Sequence, residues 1–209
     1  MVTYLVFREA VVKLNLVSNF KDYYDFLSQS QSDIKYIRNI NSSTKVDELN
    51  TIRNLGVKTI ELKPVSHMLN VDKVVVYTDI TKHCGCGKVI MDLDAAKLMY
   101  PSKLCSKFMS EVDYTYKLLQ IGRRTFRCAI KNVLPLKVSK DEGDILVQEI
   151  SGIKIEGIDL PIYSIDYIKT TEGMLACDFN TVERLDSLYM NKHITAHEVV
   201  EEIEKILIT

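Results

Sequence analysis

Apolar residues recur at helical spacing in two early stretches of the chain. TYLVF (3–7) first reads as a short strand. In NFKDYYDFLSQS (19–30), Phe20, Tyr23, Tyr24 and Leu27 then fall on one helical face. KYIRNIN (35–41) is a brief extended piece. STKVDELNTIRNLG (43–56) predicts a second helix. Ser43 or Thr44 can cap it, Asp47 and Glu48 suit its first turn, and Gly56 stops it. VKTIELKPV (57–65) predicts a strand halted near Pro64, and DKVVVYTDI (72–80) a strand rich in β-branched residues. The glycine-bearing loop TKHCGCGK follows, then the extended KVIMDL, and DLDAAKLMY (92–100) is a short helix before Pro101.

Beyond 101 the pattern becomes strand-like. SKLCSKFM, YTYKLLQIG, RTFRCAIKN and DILVQEI are runs separated by turns, and IEGIDLPIYSIDYI with GMLACDFN completes a second β-rich set. The tail, ITAHEVVEEIEKILI, predicts a helix. Thr195 and Glu198 form a capping box there, and Val199, Ile203 and Ile206 share a face. The order of elements predicts an α+β protein. A smaller first lobe would part from a larger, β-rich second lobe near residue 101.

Composition narrows the function classes. A chain of 209 residues suffices for one sizeable domain or two small lobes. The net charge of −1 gives no support for nucleic-acid or anionic-membrane binding. No charged start runs into an apolar core with a cleavage site, and no apolar run approaches a membrane span. The five cysteines, Cys84, Cys86, Cys105, Cys128 and Cys177, are odd in number and scattered, so they read as reduced thiols of a cytoplasmic protein.

The chemistry concentrates in IDYIKTTEGMLACDFN (165–180). Two apolar runs flank a T-T-E-G turn, and each carries an aspartate. Side chains alternate along a strand, so Asp178 and Asn180 share a face, and the hairpin brings Asp166 across from them. Three hard oxygen ligands on a sheet suit Mg²⁺, which takes one or two carboxylates and completes its shell with water and phosphate oxygens. The alternative is a plain hairpin whose aspartates are hydrogen-bonded.

That stretch, with the TVERL after it, resembles the metal-binding segment of the ATP-grasp superfamily, in particular the ribosomal protein S6 modification and glutathione synthetase type. The resemblance implies two α+β lobes clasping a nucleotide cleft, with Asp166, Asp178 and Asn180 holding magnesium on the phosphates of ATP. Upstream, TKVDELNTIRNLGV resembles the family's lysine-led helix, which makes Lys45 a phosphate contact. KVVVYTDITKHCGCGKVI resembles the strand, glycine loop and strand that follow, so Gly85 and Gly87 would cover the phosphates. KLCSKFMSEVDYTYKLLQIGRRTFRCAIKN resembles the adenine hinge and the two strands after it. Lys107 and Phe108 would then lie at the hinge, Asp113 at the ribose and Lys131 at a phosphate. The likeness covers residues 35 to 205. It divides the chain into a remnant of a preceding domain (1–34), a small lobe (35–100) and a large lobe (101–209).

The sequence departs from the family pattern in three places. A second lysine normally ends the strand before the glycine loop; here that place is Tyr77 or Thr78, and Lys82 in the loop is the nearest replacement. The hinge reads Ser106, Lys107, Phe108, Met109, with a base where an acidic contact is usual. Thr115 stands where an arginine is usual. A missing phosphate-binding cation weakens nucleotide binding, because charge-assisted contacts are the strong ones.

The resemblance implies an ATP- and Mg²⁺-dependent carboxylate–amine ligase acting through an acyl phosphate on a small-molecule or peptide carboxylate. It also leaves open a degenerate relative that binds nucleotide or a partner without turnover. Self-association could replace the reduced front domain. A third reading takes Glu61 and Lys63, an E-x-K pair, as part of a Mg²⁺-dependent restriction-type nuclease. His83, Cys84 and Cys86 make half a zinc set, and His193 with His197 another half. Zinc wants four ligands, so a mobile glycine loop and a solvated helix entry are the plainer readings.

Overall fold

The structure, a computed structural model, describes residues 44–81, 87–110, 112–153, 155–158, 160, 162–171, 173–180, 192–195, 198–199, 201–202 and 205. The expected strand 3–7, helix 19–30 and extended piece 35–41 lie outside these residues, as do Lys82, His83, Cys84, Gly85, Cys86 and His197.

The first helix, α1, spans Lys45–Asn54. Thr44 caps it: Asp47 N donates to Thr44 Oγ1 at 3.3 Å, and Thr44 N donates back to Asp47 Oδ2 at 2.9 Å. This reciprocal box satisfies two groups that a helix start would leave without partners. Gly56, at φ +84°, takes the left-handed turn that ends the helix, and its N–H reaches Arg53 O at 2.9 Å.

Two antiparallel sheets follow. The smaller has the strand order β1-β4-β2-β3, built from β1 (Lys63–Pro64), β2 (Lys73–Tyr77), β3 (Lys88–Asp92) and β4 (Leu104–Lys107). Val74 and Val76 of β2 pack with Val65, Met68 and Cys105 beneath α2 (Leu93–Met99), which contributes Leu93 and Ala96. The larger sheet runs β10-β9-β5-β6-β7, with β8 also on β6. Its strands are β5 (Tyr114–Ile121), β6 (Arg124–Leu134), β7 (Lys137–Val138), β8 (Ile145–Ile150), β9 (Ile162–Thr170) and β10 (Gly173–Asn180). Leu49 and Ile52 of α1 pack on the face of this sheet formed by Tyr163, Ile165, Ala176 and Phe179. The architecture is α+β, as the element order predicts.

Two expected strands are shorter than their apolar runs. In 57–65 only Lys63–Pro64 joins a ladder. Ile60 N donates to Ala176 O at 2.9 Å and Ala176 N to Lys58 O at 2.8 Å, so residues 58–60 hang on the edge of β10. The next three residues cross to the other sheet, and a segment shared by two sheets forms no continuous ladder. In 155–168 the strand begins only at Ile162, because residues 156 and 157 form a turn.

The strand β4 lies beyond residue 101 yet pairs with β2, and α1 lies before it yet packs on the larger sheet. The chain therefore changes sheets at 108–113, after the cysteine-bearing strand. The tail docks through Arg124. Its Nε and Nη2 each donate to Glu149 at 2.8 Å, Nη1 to Glu198 at 3.0 Å, and Nη2 to His193 O at 3.1 Å. Thr195 and Glu198 form their capping box, and Val199 is fully buried; Ile203 and Ile206 lie outside the described residues. No helix among the described residues is long and apolar enough to cross a membrane.

Candidate active site

The hairpin β9–β10 starts from the T-T-E-G turn with Gly173 opposite Thr170 and Ala176 opposite Tyr167. Continued unbroken, that register would set Asp178 against Ile165. It does not continue. A bulge at Cys177 slips the pairing by one, so Asp178 lies opposite Asp166 and Asn180 opposite Ser164. One residue of slip exchanges the two faces of a strand. The bulge thus moves Asp178 and Asn180 onto the face of Asp166, and leaves Phe179 with Ile165 on the face under α1. On the other side of β9, Asp166 pairs with Lys117 of β5, so a carboxylate, a carboxylate and an ammonium stand in one row across three strands.

Each carboxylate is held by a lysine. Lys45 reaches from the first turn of α1 to bond Asp178 Oδ1, and it bonds Glu48 Oε2 at 2.8 Å. Lys117 Nζ lies 3.3 Å from Asp166 Oδ1. The lysines are buried, while the Asp178 and Asp166 side chains keep 18% and 21% of their surface exposed, so a ligand can reach them. Burial pulls the Lys45 pKa down, but the carboxylates of Asp178 and Glu48 more than offset this and leave it raised. Burial pushes Asp178 up, and Lys45, Lys88 and Lys117 outweigh that and hold it below the ordinary carboxylate value.

Tyr77 ends β2 beside this cluster. Burial pushes its phenol up to about 12, against a hydrogen bond with Ser106, and the charges of Lys45 and Asp178 both bear on it. Lys88, its cross-strand partner, holds its ammonium 5.4 Å from the Tyr77 ring centroid. The Cys177 thiol is likewise pushed up to about 12, by burial and then by Asp166 and Asp178, which keeps it protonated and weakly nucleophilic.

The other expected contacts separate into groups. Lys107, Phe108 and Asp113 line a cleft of about 520 Å³ with Tyr114, Tyr116 and Lys169. This cleft holds none of the three metal-ligand candidates. Tyr116 pairs with Tyr167, so Tyr116 and Lys169 belong to the strand face opposite Asp166. Lys131 stands apart from the carboxylates. It pairs with Tyr114, three residues along β5 from Lys117, and so points to the opposite face from the carboxylates; its ammonium lies 3.4 Å from Asp144. Gly87 closes the base of the loop, accepting from Asp79 N at 3.2 Å, while Lys82 and Gly85 fall outside the described residues. Glu61 is exposed, Lys63 is half-buried, and the two pair with each other at 2.9 Å, an arrangement that gives the nuclease reading no support.

Sequence reasoning missed Lys117, Lys88 and Glu48. A signal for Lys117 existed: YTYKLLQI puts one lysine inside an apolar strand, and a lysine is almost never buried without a partner. Lys88 and Glu48 carried none, since a charge at the end of a strand or in the first turn of a helix is ordinary.

The donor set fits a hard cation. Two carboxylates and an amide, the oxygen-donor types such a cation takes, stand on adjacent strands of one face, and each carboxylate is paired with an ammonium. Asn180 Nδ2 lies 3.5 Å from Ser164 Oγ.

No family model and no curated protein matches the sequence. Solved structures do. A ligase associated with ribosomally made peptides from Chryseobacterium gregarium, an ATP-grasp enzyme in complex with ADP and a leader and core peptide, superposes with a TM-score of 0.57 at 12% identity, over 82% of this chain and 60% of that one. The ATP-grasp ligase PsnB with a minimal precursor gives 0.52 at 11% identity, over 78% and 60%. N5-Carboxyaminoimidazole synthetase from Staphylococcus aureus, complexed with ADP, gives 0.51 at 11%, over 76% and 50%. This chain thus spans between half and three fifths of those proteins. Superposition on these three structures gives this chain, with its two antiparallel sheets, the ATP-grasp fold.

Proposed function

We propose that the chain binds ATP with Mg²⁺ and works as a ligase that activates a carboxylate as its acyl phosphate. The supporting observation is the row Asp178, Asp166, Lys117 on one sheet face, closed by Lys45 from α1. The substrate carboxylate oxygen attacks the γ-phosphorus, the bond to the bridging oxygen of ADP breaks, and an acyl phosphate forms. An amine then attacks the acyl carbon and inorganic phosphate leaves. No protein nucleophile is needed, and the protonated Cys177 thiol is consistent with that.

Asp166, Asp178 and Asn180 would hold Mg²⁺, which when bound neutralises charge on the phosphates. Lys45 and Lys117 would orient phosphate oxygens by point-charge contacts. The partner is then a nucleotide with a small-molecule or peptide carboxylate. Tyr77, where the resemblance calls for a cation, favours a second reading in which nucleotide binds without turnover.

Calorimetry of ATP binding, with and without Mg²⁺, tests this on wild type and on the double variant Asp178→Ala/Asn180→Ala. The expected result is Mg²⁺-dependent binding that the variant loses. Absence of binding at millimolar ATP would remove the nucleotide reading, while binding without ADP release in an acceptor screen would select the second.

A further inference from the structure

The two candidate metal carboxylates are already neutralised by the protein's own cations. Lys45 holds Asp178 and Glu48, and Lys117 holds Asp166. Lys88 adds a third ammonium, close enough to act on Asp178. Among the described residues, Lys45 and Lys117 are thus set against Asp178, Glu48 and Asp166, and both lysines are buried. A bare divalent cation entering such a site would give up its hydration and compete with ammonium groups already bound to the carboxylates. A polyphosphate changes that balance, since it carries more negative charge than the cation brings. Lys45 has the means to respond. The Lys45 backbone is pinned, its N–H donating to Ile80 O at 3.1 Å, while four flexible carbons carry its ammonium.

We infer that Lys45 and Lys117 are exchangeable counter-cations: they hold Asp178 and Asp166 until a phosphate-bearing ligand draws them off, and they bar a free divalent cation from the site. Metal entry is then obligately coupled to nucleotide, and the coupling resides in these two side chains. The inference rests on the nucleotide–cation reading of the site and adds an order of binding to it. It makes the lysines positioning residues with two successive partners, a carboxylate first and a phosphate afterwards.

The test uses Mn²⁺ as the probe and reads the free ion by electron paramagnetic resonance, which requires no turnover. Wild type, Lys45→Met and Lys117→Met are titrated with Mn²⁺ alone and with Mn²⁺ plus ADP, and uptake is the loss of free ion beyond that of the same mixture without protein, since ADP itself binds Mn²⁺. Wild type is expected to take up no Mn²⁺ alone and to take it up with ADP. At least one lysine variant is expected to bind Mn²⁺ alone, with affinity raised about tenfold or more. The two single variants are separate because Lys45→Met removes the more buried cation and is the harder to fold; the wild-type comparison needs neither. Wild type binding Mn²⁺ alone as tightly as the variants would overturn the inference and leave the nucleotide site standing. Mn²⁺ entering only with ADP in every protein, variants included, would overturn it in the same way. Silence in all samples, with ADP present, would overturn the inference together with the function it rests on.

Discussion

Lys45 is the first residue of a helix, a place where lysines usually point into water, yet it is 2% exposed. Its ammonium is tied to Asp178 on a strand 133 residues away. Replacing it with methionine keeps the length of the stem and removes the charge. Asp178 and Glu48 would then lack their cation, and breaking one side of a buried pair costs about 3–5 kcal/mol. Urea unfolding of Lys45→Met should show that loss at neutral pH. The pH dependence follows from the shifts. Asp178 is held below its ordinary 3.8, so its contribution is present above that value and fades as pH falls through its folded value. Lys45 is raised above 10.5, so its contribution is present below 10.5 and fades only as pH climbs past its folded value. Without Lys45 the burial that pushes Asp178 up is less opposed, so the variant takes up a proton there first, and the stability gap between wild type and Lys45→Met is expected to shrink as pH falls. A gap that grew with falling pH would show that some other group controls it.

Single elements carry the geometry between residue and lobe. The Cys177 bulge is the clearest case, because one extra residue decides which face of β10 the metal-ligand candidates occupy. Its neighbours in sequence gave no sign of it: strict alternation also puts Asp178 and Asn180 together, and only the pairing with β9 shows that the face they share would otherwise be the wrong one. The turn between β5 and β6 is a second such element. Gly122 sits at φ +58°, and a Cβ there would fall 2.5 Å from the backbone oxygen of Glu202. Glu202 is in turn bound to the next residue, its Oε2 accepting from Arg123 N at 3.0 Å. Gly122→Ala is expected to lose about 2 kcal/mol or more, from left-handed strain and from the tail being pushed off the turn. Thermal unfolding measures the loss. An unchanged midpoint would mean that the tail does not pack against this turn in solution.

At the scale of the molecule, the two sheets have separate cores. The smaller gathers Val65, Val74, Val76 and Cys105 beneath one short helix; the larger gathers Leu49, Ile52, Tyr163, Ile165 and Phe179. A smaller core opens at lower free-energy cost. Amides of Val74, Val75 and Val76 are expected to exchange with solvent hydrogen through a lower-energy opening than those of Leu119 and Ile165. Native-state hydrogen exchange in low urea would resolve this, and a single common opening would show that the two cores unfold as one. Lys45 gives ligands a handle on this motion, since its helix packs on the larger sheet while its N–H bonds Ile80, in the loop that leaves the smaller one.

Local chemistry written in consecutive residues was open to reading from the sequence alone. The capping box of α1, the glycine that stops it, the β-branched β2, the alternating β5 and β6, and the T-T-E-G hairpin all depend on interactions within a few residues, and all are present. The likeness of the hairpin and of the lysine-led helix to the ATP-grasp pattern was legible for the same reason. Tertiary structure alone decided what depends on register and on partners far apart in the chain. It divided 57–65 between two sheets, turned Lys131 to the far face and placed Lys117 beside Asp166. It also brought Lys45 to Asp178. A strand's own residues specify alternation, but which face lies over which neighbour is set by pairing energies summed across the sheet, and a single bulge can reverse it.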